Sequence, residues 1–344
     1  MTTYTAPPDQ TGLILNNGDV LNVNDGGIAT ATTINDGGLA RVFSGGTATE
    51  TTISGGEEDV AGNPDVGGKA DFTTIDNGGR LFLEDRGRSE HTTINSGGVE
   101  IVDAGGYARD TLILSGGVLN LDGLGFGIAV AIGTTIAAGG VENVNQSGHA
   151  DYTTINSGGV ETVNGSHGAF GLTTAWHTTV NAGGLLDVLR GEAVDTTIND
   201  GGLVTATAGR ILGTTINSGG VLDADAGVIV SSWLTFGPVD NGVGGLLKLG
   251  DPADLRLSHI APLYNWHIGD VIDLMNTQVT SVSEKPDGRF EKVTVNYGNN
   301  QTVTYTLSGQ EKNTHVAFQS DGHGGTDLIL VTGVSSEAHH PLLG

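Results

Sequence analysis

Cysteine is absent from this chain, which excludes disulfide staples and thiol catalysis and suits passage through an oxidising compartment. Basic residues are scarce: 14 Lys and Arg stand against 39 Asp and Glu, a formal net charge of −25. Such a surface repels phosphates, so neither nucleic acid nor an anionic membrane is an expected partner. No apolar run approaches the length of a membrane span. The opening "MTTYTAPPDQTG" has neither the basic n-region nor the apolar h-region of a secretory signal, so any export is expected to use another route. Aromatic residues make up only 5% of the chain, too few for a core of ordinary large side chains to rest on them. What is abundant is glycine, 58 residues of it, without a collagen triplet and set as GG pairs between short apolar runs. That placement reads as turns between strands.

The glycines keep time with a repeat. "HTTINSGGVEIVDAGG" at 91–106 returns as "YTTINSGGVETVNG" at 152–165 and as "GTTINSGGVLDADAG" at 213–227. Aligned on the residue after the Thr pair, the copies fall at Ile34, Ile53, Ile75, Ile94, Ile113, Ile136, Ile155, Val180, Ile198 and Ile216. With a degenerate first copy at 11–27, this gives about eleven units up to residue 227. A unit this short cannot bury its own apolar face and must stack on its neighbours. Each holds two or three short β-type runs without helical periodicity, so the expected fold is all-β, a parallel β-helix or solenoid with one coil per repeat. "VLNLDGLGFGIAVAIG" at 118–133 and "GSHGAFGLTTAW" at 165–176 read as insertions bulging from a coil.

Alternation assigns the columns. The Ile34 column points inward, as does a second ladder of Val42, Val60, Leu83, Val102, Leu121, Val144, Val163, Val188, Ala206 and Ala224, giving a narrow aliphatic core. Asn35, Asn95, Asn156, Asn181, Asn199 and Asn217 fall at a turn where stacked amides can bond from coil to coil. The second Thr of each pair faces outward; Thr74, Thr93, Thr154 and Thr179 are members. Two residues upstream lies a mixed outer column in which Phe72, His91, Tyr152 and His177 could stack on sugar rings. These eight residues are the candidate binding face, with a glycan or cell-surface receptor as partner. The plainer reading, a solvated strand face using Thr for its β-propensity, stands beside it. The mixed column is too irregular to match an ice lattice.

Parallel β-helices also carry polysaccharide lyases and hydrolases, which need carboxylates at a set separation or a base beside a metal or Arg. The groups Glu57, Glu58, Asp59 and Glu84, Asp85, Arg86, Arg88 read as chance clusters in Gly-rich turns, so no catalytic residue is assigned. The ten His residues lack metal-ligand spacing, so neither metal nor cofactor is expected beyond weak calcium binding by acidic turns.

After residue 227 the repeat fades. "KVTVNY" and "TVTYTL" around "GNN" read as a hairpin, and "VAFQSDGHGGTDLILV" at 316–331 as another. The expected organisation is an N-terminal tail at 1–10, β-helix repeats at 11–227, a C-terminal β cap or small β domain at 228–333, and a disordered tail at 334–344.

"TTINSGGVEIVDAGGYARDT" resembles the repeat of AIDA-type autotransporter adhesins over roughly residues 11–227, and "GGLLKLGDPADL", "IGDVIDL" and "DGHGGTDLILV" are similar to the segment that follows such repeats in bacterial exported proteins. The resemblance implies a right-handed β-helix and an extracellular or cell-surface adhesin-like or scaffolding role without catalysis. It further implies that outward Ser and Thr are places for attached sugars. A carbohydrate-active or glycan-binding β-helix protein is the alternative. The sequence shows neither signal peptide nor membrane barrel, so the autotransporter route itself is not expected.

Overall fold

The computed structural model describes residues 1–344 apart from 64, 124–126, 166–171, 257–261, 299 and 334–344. The expected disordered tail, with His339 and His340, and the centres of both insertions lie outside the described residues. The chain is all-β, with one 3-10 turn among the described residues, at Pro252–Asp254, and forms a parallel β-solenoid of about 12 turns. It divides into two compact units, Met1–Thr178 and Thr179–Gly344.

In the first unit each coil carries a four- or five-residue strand and a pair of shorter ones. Glu57–Val60, Arg80–Leu83, Val99–Asp103 and Val118–Asp122 lie side by side in parallel register, so that Val60, Leu83, Val102 and Leu121 form one column. On the other sheet Ile53, Ile75, Ile94 and Ile113 stack likewise. Both ladders are fully buried. The GG pairs have a stated cause: Gly97 sits at φ +77, and a Cβ on Gly98 would lie 2.4 Å from the Ile75 carbonyl oxygen of the preceding coil. One glycine makes the left-handed turn and the other lets successive coils close to strand spacing. Turn amides bond along the stack, Asn35 Nδ2 donating to Asn16 Oδ1 at 2.9 Å and Asn95 Nδ2 to Asp76 Oδ1 at 2.7 Å.

The core holds more than the aliphatic ladders that alternation suggests. Two residues before each Val of the second ladder, a further inward column reads Ala40, Glu58, Leu81, Glu100, Leu119, Glu142 and Glu161. All four glutamates are fully buried. Glu58 therefore lies inside a strand, Glu57–Val60, rather than in a turn. The first Thr of each pair is buried as well, and hydroxyls meet the carboxyls in several coils: Thr111 and Ser89 donate to Glu100 at 3.2 and 2.5 Å, Thr134 and Thr153 both donate to Glu142 at 3.1 Å, and Thr178 donates to Glu161 at 3.2 Å. Where Leu81 takes the column, the Thr73 and Thr92 hydroxyls have no hydrogen-bond partner. Burial is the dominant cause that raises these carboxyls, Glu58 to about 8 and Glu100 and Glu142 each to about 7. Glu161 is pushed well up by burial and by Glu142.

In the second unit the same ladders recur, with Leu203–Ala206, Val221–Ala224, Leu246–Leu249 and Val271–Leu274 in parallel. Parallel pairing thus continues beyond residue 227, where the written repeat fades. Asn217 Nδ2 donates to Asn199 Oδ1, and Asn199 Nδ2 to Asn181 Oδ1, each at 2.8 Å. The ladders then change sense: Thr326–Thr332 pairs antiparallel with Val271–Leu274, and Thr314–Ser320 adds to it. On the other sheet Gln301–Ser308 pairs antiparallel with Phe290–Tyr297, which in turn pairs antiparallel with Val279–Asp287. The second unit also buries larger side chains that the repeats lack; Trp266, Tyr305 and Phe236 are fully buried, and Tyr305 Oη, on an antiparallel strand, donates to the Pro252 carbonyl at 2.8 Å. In "DGHGGTD" the Asp321 carboxylate accepts the His323 and Gly325 N–H groups, which hold it below the usual carboxylate range and close the turn.

Candidate functional site

Phe72, His91, Tyr152 and His177 do not lie within strands. Each is the first of the two corner residues between the short strands of its coil, followed by the buried Thr, and sits at φ +53, +56, +57 and +52. Left-handed backbone is unfavourable for a bulky side chain, by about 1 to 2 kcal/mol, and Gly133 and Gly213 occupy the same corner elsewhere. This first corner residue points away from both sheets, which is why Phe72 and Tyr152 remain 55% and 58% exposed.

Register brings these residues together in two pairs. The Phe72 and His91 rings stack at 4.6 Å between centroids with planes 6° apart, and Tyr152 and His177 at 4.6 Å and 7°. The pairs are separated by the Asp110 and Gly133 corners, so the four do not form one patch. In each pair an aspartate one residue before the aromatic orients the imidazole: His91 Nδ1 lies 3.2 Å from Asp71 Oδ1, and His177 Nδ1 lies 2.7 Å from Asp151 Oδ1. Asp71 and Asp151 were not among the expected site residues. Their signal is "DFTT" or "DYTT" followed one coil later by "HTT".

Trp176, also unexpected, is 40% exposed and meets His177 and His149 edge-on at 6.0 and 5.5 Å. Burial lowers the His149 pKa, and its Nδ1 bonds the Thr174 hydroxyl at 2.5 Å. The Tyr152 pair therefore heads a larger aromatic surface than the Phe72 pair.

The candidate threonines Thr74, Thr93 and Thr154 are half-buried; Thr74 and Thr93 are in register, and Thr154 aligns with Thr135. Thr179 belongs to the second unit, aligned with Thr197. Asp71, Glu90 and His91 offer ligand atoms within 4.8 Å of one another, a possible metal grouping. The Lys69 ammonium, however, lies 2.8 Å from Glu90 and 3.3 Å from Asp71 and already supplies the positive charge between them. Among the described residues no helix is long and apolar enough to cross a membrane.

The family model for the adhesin of the bacterial autotransporter system, described as its probable stalk, matches residues 66–117. Over a longer reach, the chain is similar to the crystal structure of the TibC-catalyzed hyper-glycosylated TibA55-350 fragment: 32% identity, TM-score 0.63, covering 76% of this chain and 86% of that one. The chain belongs to the AIDA-type autotransporter adhesin family. No curated protein matches it. As an AIDA-type chain it is an adhesin-like module, and the repeated coil is the stalk's building unit. From coil to coil of this chain, the left-handed corners vary widely in size and charge, from glycine to Phe72, His91, Tyr152 and His177.

Proposed function

We propose that this chain is a non-catalytic, extracellular stalk module whose corner aromatics bind glycans on a cell surface. The observation that carries the reading is the pair of exposed ring stacks, Phe72 on His91 and Tyr152 on His177, each with a carboxylate at the imidazole. A flat aromatic face takes the C–H face of a sugar ring, while aspartate and imidazole exchange hydrogen bonds with its hydroxyls. The cost of holding Phe72 and Tyr152 in left-handed backbone, where glycine serves other coils, supports selection for the exposed ring. The absence of catalysis is supported by where the most perturbed carboxyls sit: Glu58, Glu100, Glu142 and Glu161 are sealed among core side chains and cannot touch a substrate. Similarity to a hyper-glycosylated fragment supports a further role for the outward threonines Thr74, Thr93 and Thr154 as sugar acceptors.

The test is a glycan array probed with the wild-type chain and with a Phe72→Ala/Tyr152→Ala variant of unchanged circular dichroism. Binding by the wild type that the variant loses is the expected result. Wild-type silence across a broad array, or a variant that binds equally well, overturns the reading.

A further inference from the structure

The geometry points to a second binding site, a hollow that takes a saccharide carrying a carboxylate. It rests on the glycan-binding reading above but uses none of the same residues. Three arginines, Arg86, Arg88 and Arg109, converge on one hollow of about 430 Å³, with Glu90, Tyr107, Ile128 and Val130 on its wall. Strand register builds it: Arg88 aligns with Tyr107 and Tyr107 with Val130, while Glu90 aligns with Arg109. Arg86 enters from the adjoining turn at φ +70.

In so acidic a chain, arginines are expected to find carboxylates, and others do: Arg41 pairs with Asp59 at 3.8 Å and Arg210 with Glu192 at 2.7 Å. Among the described residues Arg86, Arg88 and Arg109 hold no ion pair. The reason is local. Glu90, the acid in register with Arg109, is held by Lys69 at 2.8 Å, and Asp71 is shared between Lys69 and His91. Asp110 lies toward His91 at 4.0 Å. Glu90, Asp71 and Asp110 are thus engaged elsewhere, and the three arginines line one space.

A guanidinium matches a planar carboxylate with two parallel N–H donors, a fit that a neutral hydroxyl cannot reproduce. Ile128 is 51% exposed and, with the Tyr107 ring, offers an apolar wall for the C–H face of a ring. The volume suits one or two sugar rings. The net charge of −25 selects further: a polyanion would be repelled along its length, whereas one carboxylate meets only the local arginines. The ligand class is therefore a sialic- or uronic-acid-type terminus.

The experiment titrates the full chain with sialyllactose, a uronic-acid disaccharide, lactose, inorganic phosphate and a sulfated polysaccharide, and repeats it with Arg88→Gln/Arg109→Gln. The acidic oligosaccharides should bind roughly tenfold or more tighter than lactose, and added salt should weaken them. The variant, altered only at exposed side chains, should keep its melting temperature and lose that preference. Equal binding of lactose and sialyllactose, phosphate bound as tightly as the acidic sugars, or a preference for the sulfated polymer would each overturn the inference. If neutral glycans bind through Phe72 and Tyr152 but acidic ones gain nothing, the inference alone falls. If no glycan binds, the glycan-binding reading falls with it.

Discussion

Replacing Glu100 by Gln should make the protein more stable at neutral pH and leave it little changed in mild acid. Glu100 is fully buried, accepts hydrogen bonds from Ser89 and Thr111, and burial raises its carboxyl from 4.5 to about 7. The folded state therefore holds a proton that the unfolded chain releases above about pH 4.5. Between these two values unfolding releases a proton, so each rise in pH favours the unfolded state. Stability is fully present below about 4.5, falls as pH climbs toward about 7, and levels off once the folded carboxyl ionises too. A shift of this size corresponds to about 3 kcal/mol at ~1.4 kcal/mol per pH unit. Glutamine has the neutral carboxyl's shape, with one acceptor oxygen and an NH2 that donates to the hydroxyl it faces, but does not titrate. The difference in unfolding free energy between Glu100→Gln and wild type should therefore move by about 3 kcal/mol in the variant's favour between about pH 4.5 and pH 7.5. Glu58, Glu142 and Glu161 titrate in both proteins and largely cancel. Glu142, relieved of repulsion from Glu100, drops slightly and adds to the effect. Parallel urea melts of both proteins across that range measure it. A constant difference, or one that grows in favour of wild type as pH rises, would refute a protonated carboxyl at Glu100.

Three further outcomes follow from the same geometry. Glu142→Ala should cost about 2–4 kcal/mol in urea melts at pH 5, far more than Glu142→Gln, because it opens a cavity and strips the Thr134 and Thr153 hydroxyls of their acceptor. Asn199→Ala, which breaks one bond to Asn181 and one from Asn217, should lower stability by about 1–2 kcal/mol in a thermal or denaturant melt. Gly98→Ala should destabilise more than Ala substitution on an outer strand face, because its Cβ would stand 2.4 Å from the Ile75 carbonyl oxygen; comparable melting temperatures would contradict the close approach of coils.

The period was legible because it is a covalent fact repeated along the chain. The Ile34 and Val42 columns, the Asn ladder and the GG turns follow from it, as each needs only alternation and the turn chemistry of glycine. The buried glutamates were not legible, because alternation identifies an inward position without saying that hydroxyls wait there. Glu58 seen beside Glu57 and Asp59 looks like one of many surface acids; only the approach of Thr51 from the other sheet shows why it is inside. The corner residues were half legible. His91 and Phe72 were expected to face outward on one column, but a left-handed φ is a property of the folded corner, and the rings' stacking depends on coil-to-coil register. Past residue 227, parallel pairing persists without the written motif, since backbone ladders ask for strand geometry rather than a fixed spelling.

By itself the sequence determined that this chain must stack repeats, because units so short and so poor in aromatics have no other way to bury apolar surface. It also determined which residues recur and therefore which are architecture. Only the tertiary structure decided which non-recurring residues meet. Lys69 taking Glu90 away from Arg109, or His91 settling on Phe72, joins residues about one coil apart in sequence but one strand spacing apart in space. That distance is set by the closing of each coil on the last, and no local rule of the chain contains it.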